Sequence, residues 1–116
     1  MSCIIHFGDD VCWNARNSLY RKFVVHMLKE NLSKDVAKQI QLSEYFNGLD
    51  FPSLQEEDSE LAKDVAKTML RVSLRVVSGE VIIVDPPVSS ADIVDAFSKL
   101  SQLLHDSPLL KVSGEP

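Results

Sequence analysis

Residues 61–77 read LAKDVAKTMLRVSLRVV, in which apolar side chains return every three or four positions. That spacing is the period of an α-helix with one broad buried face. The main apolar stripe comprises Leu61, Val65, Met69, Val72 and Val76, and it is broadened by Ala62, Ala66, Leu70 and Val77. The pattern predicts one long helix over about residues 54–77. A capping box of Ser53 and Glu56 is expected to begin this helix, and Gly79 is expected to end it.

Two apolar runs outside the long helix have the β-branched composition of strands. Residues 2–7 predict a terminal strand, followed by a turn at Gly8 and the two aspartates after it. Residues 80–85 contain four consecutive β-branched residues and predict a central strand that is buried on both faces. Residues 109–112 follow a proline and predict, at most, a short edge strand.

Three further segments have helical spacing. Their apolar stripes are Leu19, Phe23 and Met27; Val36 and Ile40; and Ile93, Phe97, Leu100 and Leu104. The first helix covers residues 14–31, with Asp9 or Asp10 as its cap. The second helix begins at Ser33 and stops near residue 47. The third begins at Ser89, where an aspartate three residues later completes the start signal.

Together these segments predict an α+β fold of four helices with a small two- or three-stranded sheet. The alternative is an all-α bundle, because short apolar runs do not distinguish a strand from a helix. The 116 residues suit one globular domain over residues 1–112, with residues 113–116 as a flexible tail.

The composition is that of an ordinary globular protein, with 45% hydrophobic and 25% charged residues. Neither a signal-peptide pattern nor an apolar run of about 20 residues is visible, so we expect a cytoplasmic protein without membrane contact. Two cysteines are too few for a disulfide framework and are expected to stay reduced. The net charge of −5 disfavours nucleic acid as a partner.

The negative charge of the chain is concentrated in residues 50–64. Six acids and one base give this stretch a charge of −5, which equals the net charge of the whole sequence. Glu56, Glu57 and Asp58 are explained by helix initiation, because carboxylates are stabilising in the first turn. That effect fades within about one turn, so it leaves the other acids of the stretch unexplained.

We therefore predict a partner-binding surface formed by Asp50, Glu57, Glu60 and Asp64, with a basic protein as the partner. Glu57, Glu60 and Asp64 are expected on one side of the long helix, with Asp50 just upstream. The competing interpretation is a solvated helix surface without a partner, since exposed charges contribute little by themselves.

The residues that could carry catalysis or bind a metal show no established spacing. Cys3 and His6 lie three apart on a predicted strand and should point to opposite faces, so we expect no metal site. Cys12 is predicted near the start of a helix, where a thiol can be activated. The two aspartates upstream oppose a thiolate, so a packing role beside Trp13 is the favoured interpretation.

The other histidines and the glycines suggest no chemistry either. His26 has Lys22 and Glu30 four residues away on either side, which predicts a surface ladder of i,i+4 pairs. His105 suits a helix C-terminus. The four glycines form neither a dinucleotide-binding motif nor a P-loop, so we expect no cofactor and no enzyme activity.

A small acidic chain of this kind resembles the immunity proteins that neutralise secreted bacterial toxins, including those of contact-dependent growth inhibition. The resemblance rests on chain length, on the acidic residues 50–64 and on the lack of a catalytic constellation. It is a likeness of type over the whole chain, so no residue role is transferred. It implies a stoichiometric inhibitor whose acidic surface mimics the charge of a basic toxin's substrate and occludes the toxin's active site.

Two alternatives remain open from the sequence. The first is a structural homodimer, because Leu70, Leu74 and Val77 lie off the main stripe of the long helix and one chain need not bury them all. The second is a small enzyme with an unrecognised site around Cys12, His26 or Asn14.

Overall fold

The computed structural model describes residues 2–111, and a three-stranded mixed sheet is formed at their N-terminal end. Strands β1 (Ser2–Gly8) and β2 (Val11–Arg16) form an antiparallel hairpin. Asp9 and Asp10 adopt left-handed φ angles of 49° and 63°, the conformation that two-residue hairpin turns require. The turn is therefore confirmed. The prediction that these aspartates cap a helix is wrong, because a second strand follows them.

The third strand comes from a distant part of the chain. Strand β3 (Gly48–Asp50) pairs in parallel with β1, which gives the order β2-β1-β3. Between β2 and β3 lie helices α1 (Asn17–Leu28) and α2 (Lys34–Tyr45). Helix α2 ends at Tyr45, close to the stop expected near residue 47.

Four more helices complete the described part of the chain. They are α3 (Phe51–Glu57), α4 (Ser59–Ser78), α5 (Ser90–Asp106) and α6 (Pro108–Lys111). The α+β class is confirmed, and the all-α alternative is wrong. Residues 2–111 contain six helices rather than the four predicted. No helix in this range combines the length and apolar content that crossing a bilayer requires.

The long helix predicted over residues 54–77 is interrupted at Asp58. This residue is extended, with φ −158° and ψ 94°, and its carboxylate accepts the Leu61 N–H at 3.1 Å as the N-cap of α4. Helix α3 begins earlier than expected, because Asp50 caps it by accepting the Ser53 N–H at 3.3 Å. The predicted capping box at Ser53 is therefore wrong. The N-cap aspartates, Asp50 and Asp58, determine where the two helices begin, although the apolar residues keep one continuous helical period.

The central strand predicted over residues 80–85 is also wrong. Ile83 and Asp85 are buried, whereas Ile82 and Val84 are 75% and 60% exposed. The only ladder contact described in this region is an isolated bridge between Asp85 and Val88. Strand β1 is already paired on both sides, by β2 and by β3, so it offers no edge to another strand.

The end of α4 and the start of α5, on either side of residues 80–88, agree with the prediction. Gly79 ends α4 in a left-handed conformation, and Ser89 caps α5 by accepting the Asp92 N–H at 3.1 Å. The edge strand predicted over residues 109–112 is wrong, because Pro108–Lys111 is helical. Residue 112 and the predicted tail at 113–116 lie outside the described residues.

The hydrophobic core lies between the inner face of the sheet and the helices. Trp13 of β2 packs against Phe97 of α5, with ring centroids 5.6 Å apart, and its indole N–H donates to the Ala96 carbonyl at 2.9 Å. Phe97 in turn contacts Phe23 of α1 at 4.8 Å. These aromatic rings join the hairpin to the helices, so the sheet is held with its other face toward solvent.

Two carboxylates tie α1 to later elements by ion pairs. Glu30, just beyond α1, accepts from Arg71 at 2.8 Å and from Arg75, both on α4. Asp85 is buried and accepts from Ser18 at 2.9 Å and from Lys22 at 3.2 Å. These partners are distant in sequence.

The predicted i,i+4 ladder around His26 is therefore wrong, because Lys22 and Glu30 are engaged elsewhere. His26 itself is half-buried on α1. Burial and the nearby Lys29 charge lower its pKa. The i,i+4 spacing places these residues on one helix face, but Lys22 pairs with Asp85, between α4 and α5, and Glu30 pairs with Arg71 and Arg75 of α4.

The two carboxylates make stability dependent on pH. Hydrogen bonds from Arg71 lower the pKa of Glu30 despite its desolvation. Burial raises the pKa of Asp85, but the bonds from Ser18 and Lys22 outweigh it, so this pKa is also lowered. Folding therefore favours the charged forms. This stabilisation is complete above the ordinary carboxyl pKa of about 4 and is lost as pH falls through the folded-state values.

We expect the free energy of unfolding to fall between about pH 5 and pH 3, measured by urea titration at each pH. The double variant Glu30→Gln with Asp85→Asn should flatten this dependence. As a control, Asp35→Asn removes an exposed carboxylate from the first turn of α2 and should leave the slope nearly unchanged. Equal slopes in all three proteins would contradict the assignment.

Candidate functional site

An open depression of about 260 Å³ lies where the hairpin turn meets the start of α3. It is lined by His6, Gly8, Asp10, Val11, Asp50, Pro52, Ser53 and Glu56, and we call it the acidic depression. Three of these residues are carboxylates, and the lining contains neither lysine nor arginine. The depression is therefore a local concentration of negative charge.

Three separate elements bring the carboxylates together. Asp50 ends β3 and lies beside His6 in the parallel register with β1. Asp10 comes from the turn of the hairpin, and Glu56 comes from α3. One oxygen of Asp50 is used in capping α3, so its position is fixed by both the strand and the helix. Of the four predicted site residues, Asp50 is the one that lines this depression.

The remaining predicted residues, Glu57, Glu60 and Asp64, are exposed but do not share one continuous helix. Glu57 is the last residue of α3, whereas Glu60 and Asp64 follow the interruption at Asp58 and belong to α4. The expectation that these three lie along one helix is wrong, because the extended backbone at Asp58 separates them.

The acids of α4 also have basic neighbours. Glu60 forms an ion pair with Lys63 at 3.7 Å. Asp64 lines a second depression, of about 220 Å³, together with Lys67 and Arg71. Two bases and one acid make the charged lining of this second depression positive. The concentrated negative charge is therefore found at the acidic depression rather than along α4.

An exposed aromatic pair lies between α2 and β3. The Tyr45 and Phe46 side chains are 77% and 68% exposed, and their rings contact edge to face at 5.0 Å. This pair was not predicted from the sequence. The available signal was the position of two adjacent aromatic residues immediately before the helix-ending Asn47–Gly48.

The two cysteines lie in opposite environments. Cys3 is buried on the inner face of the sheet, and this burial raises the pKa of its thiol to about 12. His6 is exposed, which confirms that Cys3 and His6 point to opposite faces. Cys12 is exposed on β2, so its predicted position at a helix start, packed beside Trp13, is wrong. Within residues 2–111, no three Cys, His, Asp or Glu side chains are placed to hold a metal ion.

Comparison of the chain with protein-family models, with curated proteins and with solved structures finds no match.

Proposed function

We propose that this chain is a non-enzymatic protein-binding module, a stoichiometric inhibitor of the immunity-protein type that neutralises a basic protein partner. The observation that carries the proposal is the acidic depression, where Asp10, Asp50 and Glu56 converge from three elements. A carboxylate cluster of this kind suits a lysine or arginine side chain of the partner, because charge-assisted hydrogen bonds are stronger than neutral ones.

The exposed aromatic pair is a second candidate contact for the same partner. Tyrosine and other aromatic residues are enriched at the energetic centres of protein interfaces. Phe46 lies four residues before Asp50, so the two Cα atoms are at most about 14 Å apart. That separation lies well within one standard protein interface, which buries about 800 Å² on each partner. Charge and apolar anchoring are thus available to the same partner.

The proposal is tested by two matched triple variants that remove three negative charges each. One is Asp10→Asn, Asp50→Asn and Glu56→Gln, in which asparagine preserves the cap of α3. The other is Glu57→Gln, Glu60→Gln and Asp64→Asn. Tagged proteins are used to capture partners from the native cell, and the bound fraction is eluted stepwise with salt.

We expect the unaltered chain to retain a basic protein at low salt and to release it at high salt. The variant of the acidic depression should lose the partner, whereas the variant at Glu57, Glu60 and Asp64 should retain most of it. Equal losses would indicate net charge alone and contradict the assignment to the depression. Undiminished capture by both variants would overturn the proposal as a whole.

A second candidate function, a homodimer through α4, is favoured by the exposed apolar residues of that helix. Leu74 and Val77 are 50% and 37% exposed, and Leu74 lines a shallow groove between α4 and α5. Light scattering over a range of concentrations distinguishes the two functions. A dimer that Leu74→Glu disrupts and Val25→Glu leaves intact supports this candidate, and a monomer at every concentration removes it.

A further inference from the structure

Residues 81–84 have the composition of a β-strand, but no strand of the described chain pairs with them. They read Val-Ile-Ile-Val, and burial alternates along them: Ile83 is buried, whereas Ile82 and Val84 are exposed. Alternation with a period of two is the side-chain pattern of a strand with one face in solvent. We call residues 81–84 the unpaired segment.

The backbone of the unpaired segment also lacks partners. The N–H groups of Ile82, Ile83 and Val84 donate to no acceptor among residues 2–111. The Val84 carbonyl accepts from the Lys22 ammonium, which also pairs with Asp85. The backbone groups of successive residues in a strand point to opposite edges. Lys22 therefore closes one edge of the segment, and Ile83 presents its N–H and carbonyl at the other.

Exposed apolar side chains are concentrated around this segment. A groove of about 170 Å³ is lined by Lys22, Val25, His26, Ile82, Ile83 and Val84, and it contains no carboxylate. Val25 of α1 is 50% exposed and borders the groove beside Ile82 and Val84. Apolar side chains that are exposed together, rather than singly, mark interaction surfaces. The unpaired segment is therefore a surface that association with another chain would bury.

The chemistry of the segment indicates a second copy as the partner. Sheet edges of monomeric proteins carry charges or prolines that prevent pairing with another chain, and residues 81–84 contain neither. Apolar β-branched runs of this kind pair with identical segments. Within residues 2–111, β1, β2 and β3 are already paired with one another. A second copy supplies an unpaired strand of the same length and pattern.

We propose that two copies of this chain associate through the unpaired segment, as an antiparallel pair of strands about a twofold axis. The axis keeps the exposed side chains of both copies on one face. Aligning Ile83 with its counterpart then places Ile82 directly opposite Val84 of the second copy. Because Lys22 closes the other edge, association stops at two copies. The proposal does not rest on the proposed inhibitor function, and it uses a surface other than α4.

Charge at the two ends of the segment favours the antiparallel direction. Glu80, at one end, is 68% exposed, and its ion pair with Arg75 is long, at 3.7 Å. Lys22, at the other end, is 45% exposed and uses two of its three donors on Val84 and Asp85. Antiparallel pairing brings Glu80 of each copy toward Lys22 of the other. Parallel pairing would place like charges side by side.

The association is measured by sedimentation velocity at protein concentrations up to about 1 mM. We expect a reversible monomer–dimer equilibrium. Ile82→Glu should weaken the dimer about tenfold or more, because a carboxylate would be buried opposite Val84. Leu74→Glu, at an exposed residue of α4, should leave it unchanged. A monomer at every concentration, or a dimer that Ile82→Glu weakens no more than Leu74→Glu does, would overturn the proposal.

Cross-linking tests the register. Cys12→Ser removes the exposed thiol, and Ile82→Cys and Val84→Cys are then oxidised separately and as a mixture. The mixture should cross-link faster than either variant alone, because residues 82 and 84 are directly opposed in the dimer. Hydrogen exchange at the Ile83 amide should slow as protein concentration rises. A mixture that cross-links no faster, or an Ile83 exchange rate independent of concentration, would overturn the strand pairing.

Discussion

Replacing Phe97 with alanine is expected to lower the free energy of unfolding by about 3–5 kcal/mol, the largest single effect in this chain. The Phe97 side chain is fully buried and contacts the rings of Trp13 and Phe23. Alanine would leave a cavity at the point where the hairpin meets α1 and α5, and it would remove aromatic contacts in addition to buried area. A domain of this size has a total stability of only about 5–15 kcal/mol.

The measurement is a urea titration followed by the fluorescence of Trp13, which is the only tryptophan in the sequence. The matched control is Phe46→Ala, since Phe46 is 68% exposed and its removal should change stability by no more than about 0.5 kcal/mol. Comparable losses in the two variants would contradict the packing described for Phe97.

Replacing Gly48 with alanine is expected to cost about 3 kcal/mol, because a methyl group there overlaps the backbone of β1. A Cβ atom on Gly48 would lie 2.3 Å from the Ile4 carbonyl oxygen. The obstacle is main chain rather than a flexible side chain, so β1 and β3 must move apart. Their separation would weaken the parallel pairing that places Asp50 beside His6.

Two readouts identify the cause of this loss. Urea titration gives the change in stability, and hydrogen exchange at the Ile4 amide, which donates to the Asn47 carbonyl at 3.1 Å, reports the β1–β3 junction. The control is Gly79→Ala, where φ is +88° but no atom lies within 4 Å of the added Cβ. That variant should cost only about 1 kcal/mol from backbone strain. Protection of Ile4 that is unaffected by Gly48→Ala would contradict the clash.

The helices were largely predictable because their signals are local. The stripe of Ile93, Phe97, Leu100 and Leu104 is buried throughout α5, and Ser89 and Gly79 act at the helix ends as expected. The predicted continuity of α3 and α4 failed at Asp58, because an apolar period does not reveal which of several aspartates serves as an N-cap.

The candidate site was predicted only in part. Asp50 was selected from the local charge of residues 50–64, and it lines the acidic depression. Asp10 and Glu56 were assigned to a turn and to a capping box, and their convergence with Asp50 depends on strand pairing across about 40 residues. Glu60 and Asp64 were selected by the same charge argument as Asp50, but the structure places lysine and arginine beside them.

The sequence by itself determined the α+β class, several helix boundaries and the presence of an acidic segment, because helical hydrogen bonds and caps join residues three or four positions apart. Only the tertiary structure decided that β1, rather than residues 80–85, is the central strand. It also decided that Cys12 and Asp50 lie opposite His6 on the two neighbouring strands. Strand pairing joins residues that are far apart in the chain, so the order of strands depends on how the helices pack and not on any local pattern.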